Sequence, residues 1–167
     1  MNEEKLFARV DDIESALSDY VPESDEESYL VFRSSGILYA ISTDYVQEIF
    51  SSVDITKIPM MPEYVSGVIN LRGQIVPIVD FRLLLGRFPD ELEPCAIILD
   101  INGTQIGILV DTVDQMVDIS RATILPVPAQ NEHRMVNGMC TVPGISNTVM
   151  TVNATALIED MDGHVMM

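Results

Sequence analysis

The chain has 167 residues, 47% hydrophobic and 21% charged, so it is long enough and apolar enough to fold around a core. Its formal net charge of −17 disfavours binding to nucleic-acid phosphates and to anionic membrane surfaces. The N-terminus carries no apolar signal segment, and no apolar run approaches the length of a membrane span. The sequence therefore predicts a cytoplasmic protein without direct membrane insertion.

The first 28 residues are much more acidic than the rest of the chain, with ten acidic and two basic residues. Four apolar residues recur at helical spacing over residues 5–18, which predicts a short amphipathic helix. These four are Leu6, Val10, Ile13 and Leu17. The acidic run that follows is typical of a solvated linker. We therefore expect residues 1–28 to form an N-terminal tail that contributes little to the core.

From Tyr29 onward the hydrophobic period changes to that of β-strands. Three β-hairpins are predicted, each with a glycine at or near its turn. They pair residues 29–33 with 37–42, 67–71 with 75–79, and 95–101 with 105–110. Between the second and third hairpins, Asp80 is expected to cap a short helical turn over residues 81–85, which Gly86 ends.

An internal repeat divides this part of the chain. A shift of 67 residues aligns Leu30-Val31-Phe32 with Ile97-Ile98-Leu99, and Asp44 with Asp111. Shifts of 71 and 73 align Val65-Ser66-Gly67 with Val136-Asn137-Gly138, and Val79-Asp80 with Val152-Asn153. The repeat predicts two small β units at about 29–86 and 95–159, followed by a C-terminal tail over 160–167. Units of this size have marginal cores alone, so we expect them to close into barrels and to pack as one body.

Motifs for catalysis or cofactor binding are absent from the sequence: there is no G-x-S-x-G, Walker-type glycine loop, G-x-G-x-x-G or H-E-x-x-H. His133 and His164 stand in predicted surface segments. Cys95 and Cys140 are isolated, which predicts buried free thiols and not a metal site. We therefore expect a protein that is not an enzyme and holds no metal or cofactor. A small β-barrel enzyme is the alternative from a different functional class.

The ten methionines allow two interpretations, since methionine fills irregular gaps in cores and also forms adaptable binding surfaces. Met60 and Met61 lie between Pro59 and Pro62 in a predicted loop, which makes them the better candidates for a binding surface.

The run GVINLRGQIVPIVDFRLLLG at residues 67–86 resembles the signature region of the CheW family of chemotaxis coupling proteins. Supporting segments are YVQEI at 45–49, IGILVDTVDQMVDI at 106–119 and VNATALI at 152–158. The resemblance covers residues 29–159 and implies an all-β fold of two tandem SH3-like five-stranded barrels packed as one body, with short helical turns.

The same resemblance implies a non-catalytic scaffold that joins the cytoplasmic tip of a chemoreceptor to the regulatory domain of the histidine kinase CheA. The strand edges of both barrels would face the kinase. An alternative within the same system is a fragment of a larger chemotaxis protein, either the kinase regulatory domain itself or the adaptor half of a CheV-like protein.

Glu48 and Arg72 are an acid and a base set among apolar neighbours, where charges usually have partners. The resemblance implies that they form a salt bridge at the receptor-binding surface, which we expect to join neighbouring strands and to be partly buried. Val46, Gly67 and Ile75 match positions near the same surface. Chemoreceptor tips are helical hairpins, so the expected binding mode is a helix laid into an apolar groove.

Overall fold

A computed structural model describes residues 25–89, 93–128 and 134–165, with side chains up to residue 159. The strands in these ranges are β1 (Glu26–Ser34), β2 (Ile37–Ser42), β3 (Val46–Phe50), β4 (Val65–Leu71), β5 (Gln74–Asp80), β6 (Cys95–Ile101), β7 (Thr104–Val110), β8 (Thr112–Ser120), β9 (Val136–Cys140) and β10 (Val149–Val152). Two helices, α1 (Phe81–Leu84) and α2 (Ala154–Val165), and two 3-10 turns, Thr43–Tyr45 and Arg121–Thr123, complete the elements. The helix predicted over 5–18 lies outside the described residues, and the end of the predicted tail forms the start of β1.

The three predicted hairpins are confirmed, as the antiparallel pairs β1–β2, β4–β5 and β6–β7. Both central residues of each turn have positive φ, which is the type I′ geometry that suits the twist of a hairpin. The turn residues are Ser35 and Gly36, Arg72 and Gly73, and Asn102 and Gly103. Asp80 caps α1 as predicted, because its side chain accepts a hydrogen bond from the backbone N–H of Arg82.

The strands form two five-stranded sheets, in the orders β8-β1-β2-β10-β9 and β3-β6-β7-β5-β4. Thr56, after β3, forms a bridge with Val68 on the far edge strand, and Leu125, after β8, does the same with Met139. Each sheet thereby closes into a small barrel, which confirms the predicted all-β fold. We call the barrel that contains β1 barrel A and the one that contains β3 barrel B.

The two barrels do not coincide with the two repeat units of the sequence. Barrel B consists of β3 to β7, residues 46–110, whereas barrel A combines β1 and β2 with β8 to β10. The chain therefore passes between the barrels twice, at the 3-10 turn Thr43–Tyr45 and at Asp111. A sequence repeat identifies equivalent strands, but it does not say whether a hairpin pairs within its own repeat or with the other.

Alternation along the hairpin strands divides the apolar side chains among three cores. Leu30 and Phe32 of β1 face a core between the barrels, while Tyr29 and Val31 face the interior of barrel A. Strands β2, β6 and β7 alternate in the same way, with β6 and β7 serving the interior of barrel B. These strands are buried on both faces, which explains their continuous apolar sequences.

Helix α2 covers one side of the core between the barrels, where Ala156 and Leu157 are buried. It continues to Val165, so the backbone of residues 160–165 is helical where the sequence predicted a tail. The segment contains no proline, so nothing in its backbone chemistry prevents the helix from extending beyond its buried first turns.

Candidate functional site

Two of the predicted site residues flank the core between the barrels. Val46, on β3, is partly buried against this core. Ile75, on β5, lies on the same face of its strand as the core residue Val79 but is 66% exposed. Ile49, which the sequence analysis did not single out, pairs with the core residue Ile97 and is 45% exposed. Barrel B therefore presents exposed apolar side chains beside the core where the barrels meet.

Glu48 and Arg72 form an ion pair between Glu48 Oε1 and Arg72 Nη1. Glu48 lies on β3 and Arg72 in the β4–β5 turn, so the pair spans the seam where barrel B closes. The expected pairing was across neighbouring hydrogen-bonded strands. The structure differs, because β3 and β4 are at opposite ends of the sheet order and meet only at the seam. The side chain of Arg72 is 74% exposed and that of Glu48 is 26% exposed, so water screens the pair and it contributes little to stability.

Gly67 is buried in a β-bulge of β4, and its role is to let barrel B close. Its φ is +143°, and a Cβ at this position would lie 2.2 Å from the carbonyl oxygen of Thr56 and 2.8 Å from Cγ2 of Ile55. Gly138, its equivalent in the repeat, has the same role in barrel A, where a Cβ would lie 2.4 Å from Cγ2 of Ile124. Because Gly67 is buried, a substitution there would affect a binding partner only indirectly, by moving Ile55 and Thr56, which pass over it.

A buried ion network lies where the chain passes from barrel B to barrel A. Arg82 donates from Nε and Nη2 to the two oxygens of Asp80, both at 2.9 Å, and from Nη1 to Oδ1 of Asp111 at 2.8 Å. The backbone N–H of Ser35, in the β1–β2 turn, donates to Oδ2 of Asp111 at 2.8 Å. Arg82, Asp80 and Asp111 are 3%, 5% and 7% exposed. One guanidinium thus joins barrel B to a carboxylate that is also bound to barrel A.

Opposing effects act on the protonation of Arg82. The hydrogen bond to Asp80 contributes most to raising the pKa of Arg82, burial lowers it, and the hydrogen bond to Asp111 raises it again. The net direction is upward, so Arg82 remains a cation although it has almost no contact with water.

The sequence patterns do not predict this network. They indicate Asp80 as a helix cap and Asp111 as part of the repeat, and they do not single out Arg82. A signal was present, because Arg82 is the lone cation in the apolar run at residues 81–85, and a charge in such a run usually needs a buried partner. The spacing could not identify that partner, since Asp111 is 29 residues away in the chain.

Methionines occur both on the surface and in a core, so each of the two interpretations holds at a different position. Met60 is fully exposed in the loop before β4 and has a φ of 64°. Met135 is fully buried in the core between the barrels. Met60 is therefore a surface residue and Met135 a core residue.

Cys95 and Cys140 are both free, and burial raises the pKa of the Cys140 thiol. Within 25–89, 93–128 and 134–159, no three His, Cys, Asp or Glu side chains lie close enough to hold a metal ion. No helix in the part of the chain that the structure describes is long and apolar enough to cross a membrane. His133 and the side chain of His164 lie outside the described residues.

Known proteins are similar to this chain in sequence and in structure. Residues 28–162 match the family model of the CheW-like domain. The chain is 32% identical over 120 residues to the chemotaxis protein CheW of Rhizobium meliloti (strain 1021), covering 69% of this chain and 77% of that protein. It is 30% identical over 116 residues to the chemotaxis protein CheW of Klebsiella aerogenes, covering 68% and 70%.

Among solved structures, the scaffolding protein TtCheW from Thermoanaerobacter tengcongensis is similar to this chain with a TM-score of 0.70 and 29% sequence identity. The match covers 76% of this chain and 88% of that protein. Fold, sequence and family model agree, and the chain belongs to the CheW-like domain family.

Proposed function

We propose that this protein is a scaffold of bacterial chemotaxis that works in the cytoplasm and couples the tip of a chemoreceptor to the regulatory domain of the kinase CheA. Membership of the CheW-like family supports a role in chemotaxis, and the likeness to a solved scaffolding protein supports an adaptor. Proteins of this family act as scaffolds, by binding and not by catalysis.

The observation that carries the proposal is the exposed apolar margin of barrel B beside the Glu48–Arg72 pair. Ile49 and Ile75 expose about half or more of their surface, as an apolar helix face would require of its binding site. Arg72 is mostly exposed, and a guanidinium has five N–H donors, so it can bind a partner's acceptor while paired with Glu48. We therefore assign the receptor tip to this margin, with Val46 at its buried side.

The kinase is assigned to the strand edges of the barrels. Edge strands carry backbone groups that are not paired within their own sheet, and another protein can use them. The edge strands β8 and β9 of barrel A are separate from the receptor margin, whereas β3 belongs to it, so an adaptor could hold two partners at once by these different edges.

The test compares two exposed arginines in ion pairs, one inside and one outside the proposed surface. Arg72→Glu should weaken binding to a purified receptor-tip fragment by more than about tenfold, or 1.4 kcal/mol, while binding to the kinase regulatory domain changes much less. Arg134, which binds Glu159 at 3.0 Å on barrel A, has a side chain 66% exposed. Arg134→Glu should leave receptor binding nearly unchanged.

Titration calorimetry measures both affinities. Equal losses in the two variants would show that charge reversal acts nonspecifically, and unchanged receptor binding in Arg72→Glu would remove the assigned surface. If the unmodified protein bound neither partner, the scaffold function itself would be wrong.

A second measurement tests the scaffold role. Added to the kinase alone, the protein should leave the rate of autophosphorylation unchanged, and added together with receptor it should raise that rate. A rise without receptor would contradict the coupling role.

A further inference from the structure

We infer that Arg82 is a positioning residue, which with Asp80 and Asp111 fixes the angle between the two barrels and so the geometry in which the scaffold holds its partners. The inference rests on the proposed scaffold function. It concerns three buried residues that offer almost no surface to a partner.

The position of Asp111 is the first reason. Asp111 is the single residue between β7 of barrel B and β8 of barrel A. Its backbone N–H donates to the carbonyl oxygen of Arg33 in β1 at 3.0 Å. Its carboxylate accepts from Arg82 of barrel B and from the backbone of Ser35 of barrel A. This one residue is therefore held by both barrels at the point where the chain leaves one for the other.

The second crossing lacks an equivalent network. Asp44, which the repeat aligns with Asp111, is exposed in the 3-10 turn, where its backbone N–H donates to the Ser42 hydroxyl oxygen at 3.3 Å. Asn153 and Thr155 stand where the repeat places Asp80 and Arg82, and they share a neutral hydrogen bond of 2.8 Å. Only the crossing at Asp111 therefore has a buried, charged and directional link within the described residues.

The apolar core and the buried ion network constrain the barrels in different ways. The remaining contact between the barrels is largely an apolar core, and apolar packing has little directional preference. The hydrogen bond of 3.3 Å from the Ser35 hydroxyl to the carbonyl oxygen of Phe88 is exposed to water and carries no charge. Hydrogen bonds need defined distances and angles, and the two-point contact of Arg82 with Asp80 fixes the plane of the guanidinium. Replacing a buried ion network by apolar groups is often neutral for stability, so the network determines orientation more than it determines stability.

The inter-barrel distance tests the inference on the full chain. Spin labels at Gln74→Cys on barrel B and Met116→Cys on barrel A, with Cys95 and Cys140 replaced by alanine, report that distance by pulsed electron spin resonance. The neutralised variant combines Arg82→Met, Asp80→Asn and Asp111→Asn, which leaves no unpaired charge. We expect a narrow distance distribution in the parent and a broader or shifted one in this variant.

The matched control removes an exposed ion pair, by Arg134→Met with Glu159→Gln, and should keep the narrow distribution. If the neutralised variant does not fold, Arg82→Lys replaces it, because lysine keeps the charge but loses the two-point contact. A folded variant of either kind with the parent's distribution would overturn the inference.

Binding and activation provide the functional readout. In the neutralised variant, the separate affinities for receptor tip and kinase regulatory domain should stay within about threefold of the parent, well below the tenfold that corresponds to 1.4 kcal/mol. Receptor-dependent kinase activation should fall by more than about tenfold. A parallel loss of binding and activation would mean a merely structural role. If the parent bound neither partner, the scaffold function would fail, and the distance measurement would still decide the role of Arg82.

Discussion

The two arginine sites of barrel B use the same side chain in opposite environments. The side chain of Arg82 is 4% exposed and bound to two carboxylates, whereas that of Arg72 is 74% exposed and bound to one. A buried pair that loses one partner leaves an uncompensated charge, while an exposed pair that loses one partner leaves a solvated charge. Burial therefore decides what each arginine can do: Arg82 is confined to contacts within the protein, and Arg72 is available to a partner.

The largest effect is expected from Arg82→Ala. Asp80 and Asp111 would remain buried without their cation, which typically costs about 3–5 kcal/mol of unfolding free energy. Urea denaturation followed by circular dichroism measures the loss. The neutralised variant described above should recover most of it, because it removes the buried charges together. A loss below about 1 kcal/mol in Arg82→Ala, the range of exposed pairs, would contradict the difference between the two sites.

The next largest loss of stability is expected at the seam of barrel B, where Glu48 and Arg72 meet. Gly67→Ala would place a Cβ against the backbone oxygen of Thr56, adding overpacking of about 1–3 kcal/mol to a backbone strain of about 1–2 kcal/mol.

The matched control is Gly73→Ala in the adjacent turn, where φ is +86° and a Cβ would meet nothing within 4 Å. Only the backbone strain applies to Gly73→Ala, so its loss of unfolding free energy, measured by urea denaturation, should be clearly smaller than that of Gly67→Ala. Equal losses would show that the seam relaxes easily and that closure of barrel B does not depend on Gly67.

A smaller effect is expected from the exposed pair itself. In a double-mutant cycle with Glu48→Gln and Arg72→Gln, the coupling in unfolding free energy should be about 1 kcal/mol or less. It should shrink further in 1 M salt, where the screening length is about 3 Å. Purely additive effects would mean that the two side chains do not interact in solution.

The same pair should matter more for binding than for stability. Arg72→Glu should weaken receptor binding, and the charge exchange Glu48→Arg with Arg72→Glu should restore part of it. Full recovery is not expected, because a carboxylate cannot reproduce the fork of the guanidinium. No recovery at all would show that Arg72 contacts the receptor independently of Glu48.

These sites also show how far the sequence could be interpreted. The hairpins were predictable because turn residues such as Asn102-Gly103 act locally, and the Asp80 cap was predictable for the same reason. The division into barrels was not, because pairing of β1–β2 with β8 and β10 is a long-range choice that no local pattern encodes.

The candidate site follows the same distinction between local and long-range information. The residues alone left the pairing of Glu48 with Arg72 undecided, and only the family resemblance favoured it. The contact of Arg82 with Asp111 needed two elements to meet after folding, so the sequence could at most have flagged Arg82 as a buried cation.

The smallest change in stability is expected from deleting the acidic residues that precede β1. Deleting residues 2–24 removes most of the acidic tail but leaves every core residue within the part of the chain that the structure describes, where the first of them is Tyr29. It also leaves Asp25, whose carbonyl oxygen accepts from the N–H of Arg121 at 2.8 Å. The unfolding free energy should change by less than about 0.5 kcal/mol, a shift of roughly 2 °C or less in Tm.

The control deletion is four residues longer. Removing residues 2–28 also removes the first pairs between β1 and β8, from Glu26 with Ser120 to Ser28 with Asp118, and should lower Tm clearly more. Calorimetry on both deletions measures the difference. If the shorter deletion already destabilised the protein as much as the longer one, the apolar stripe from Leu6 to Leu17 would have to pack against a barrel, and the tail would be part of the fold.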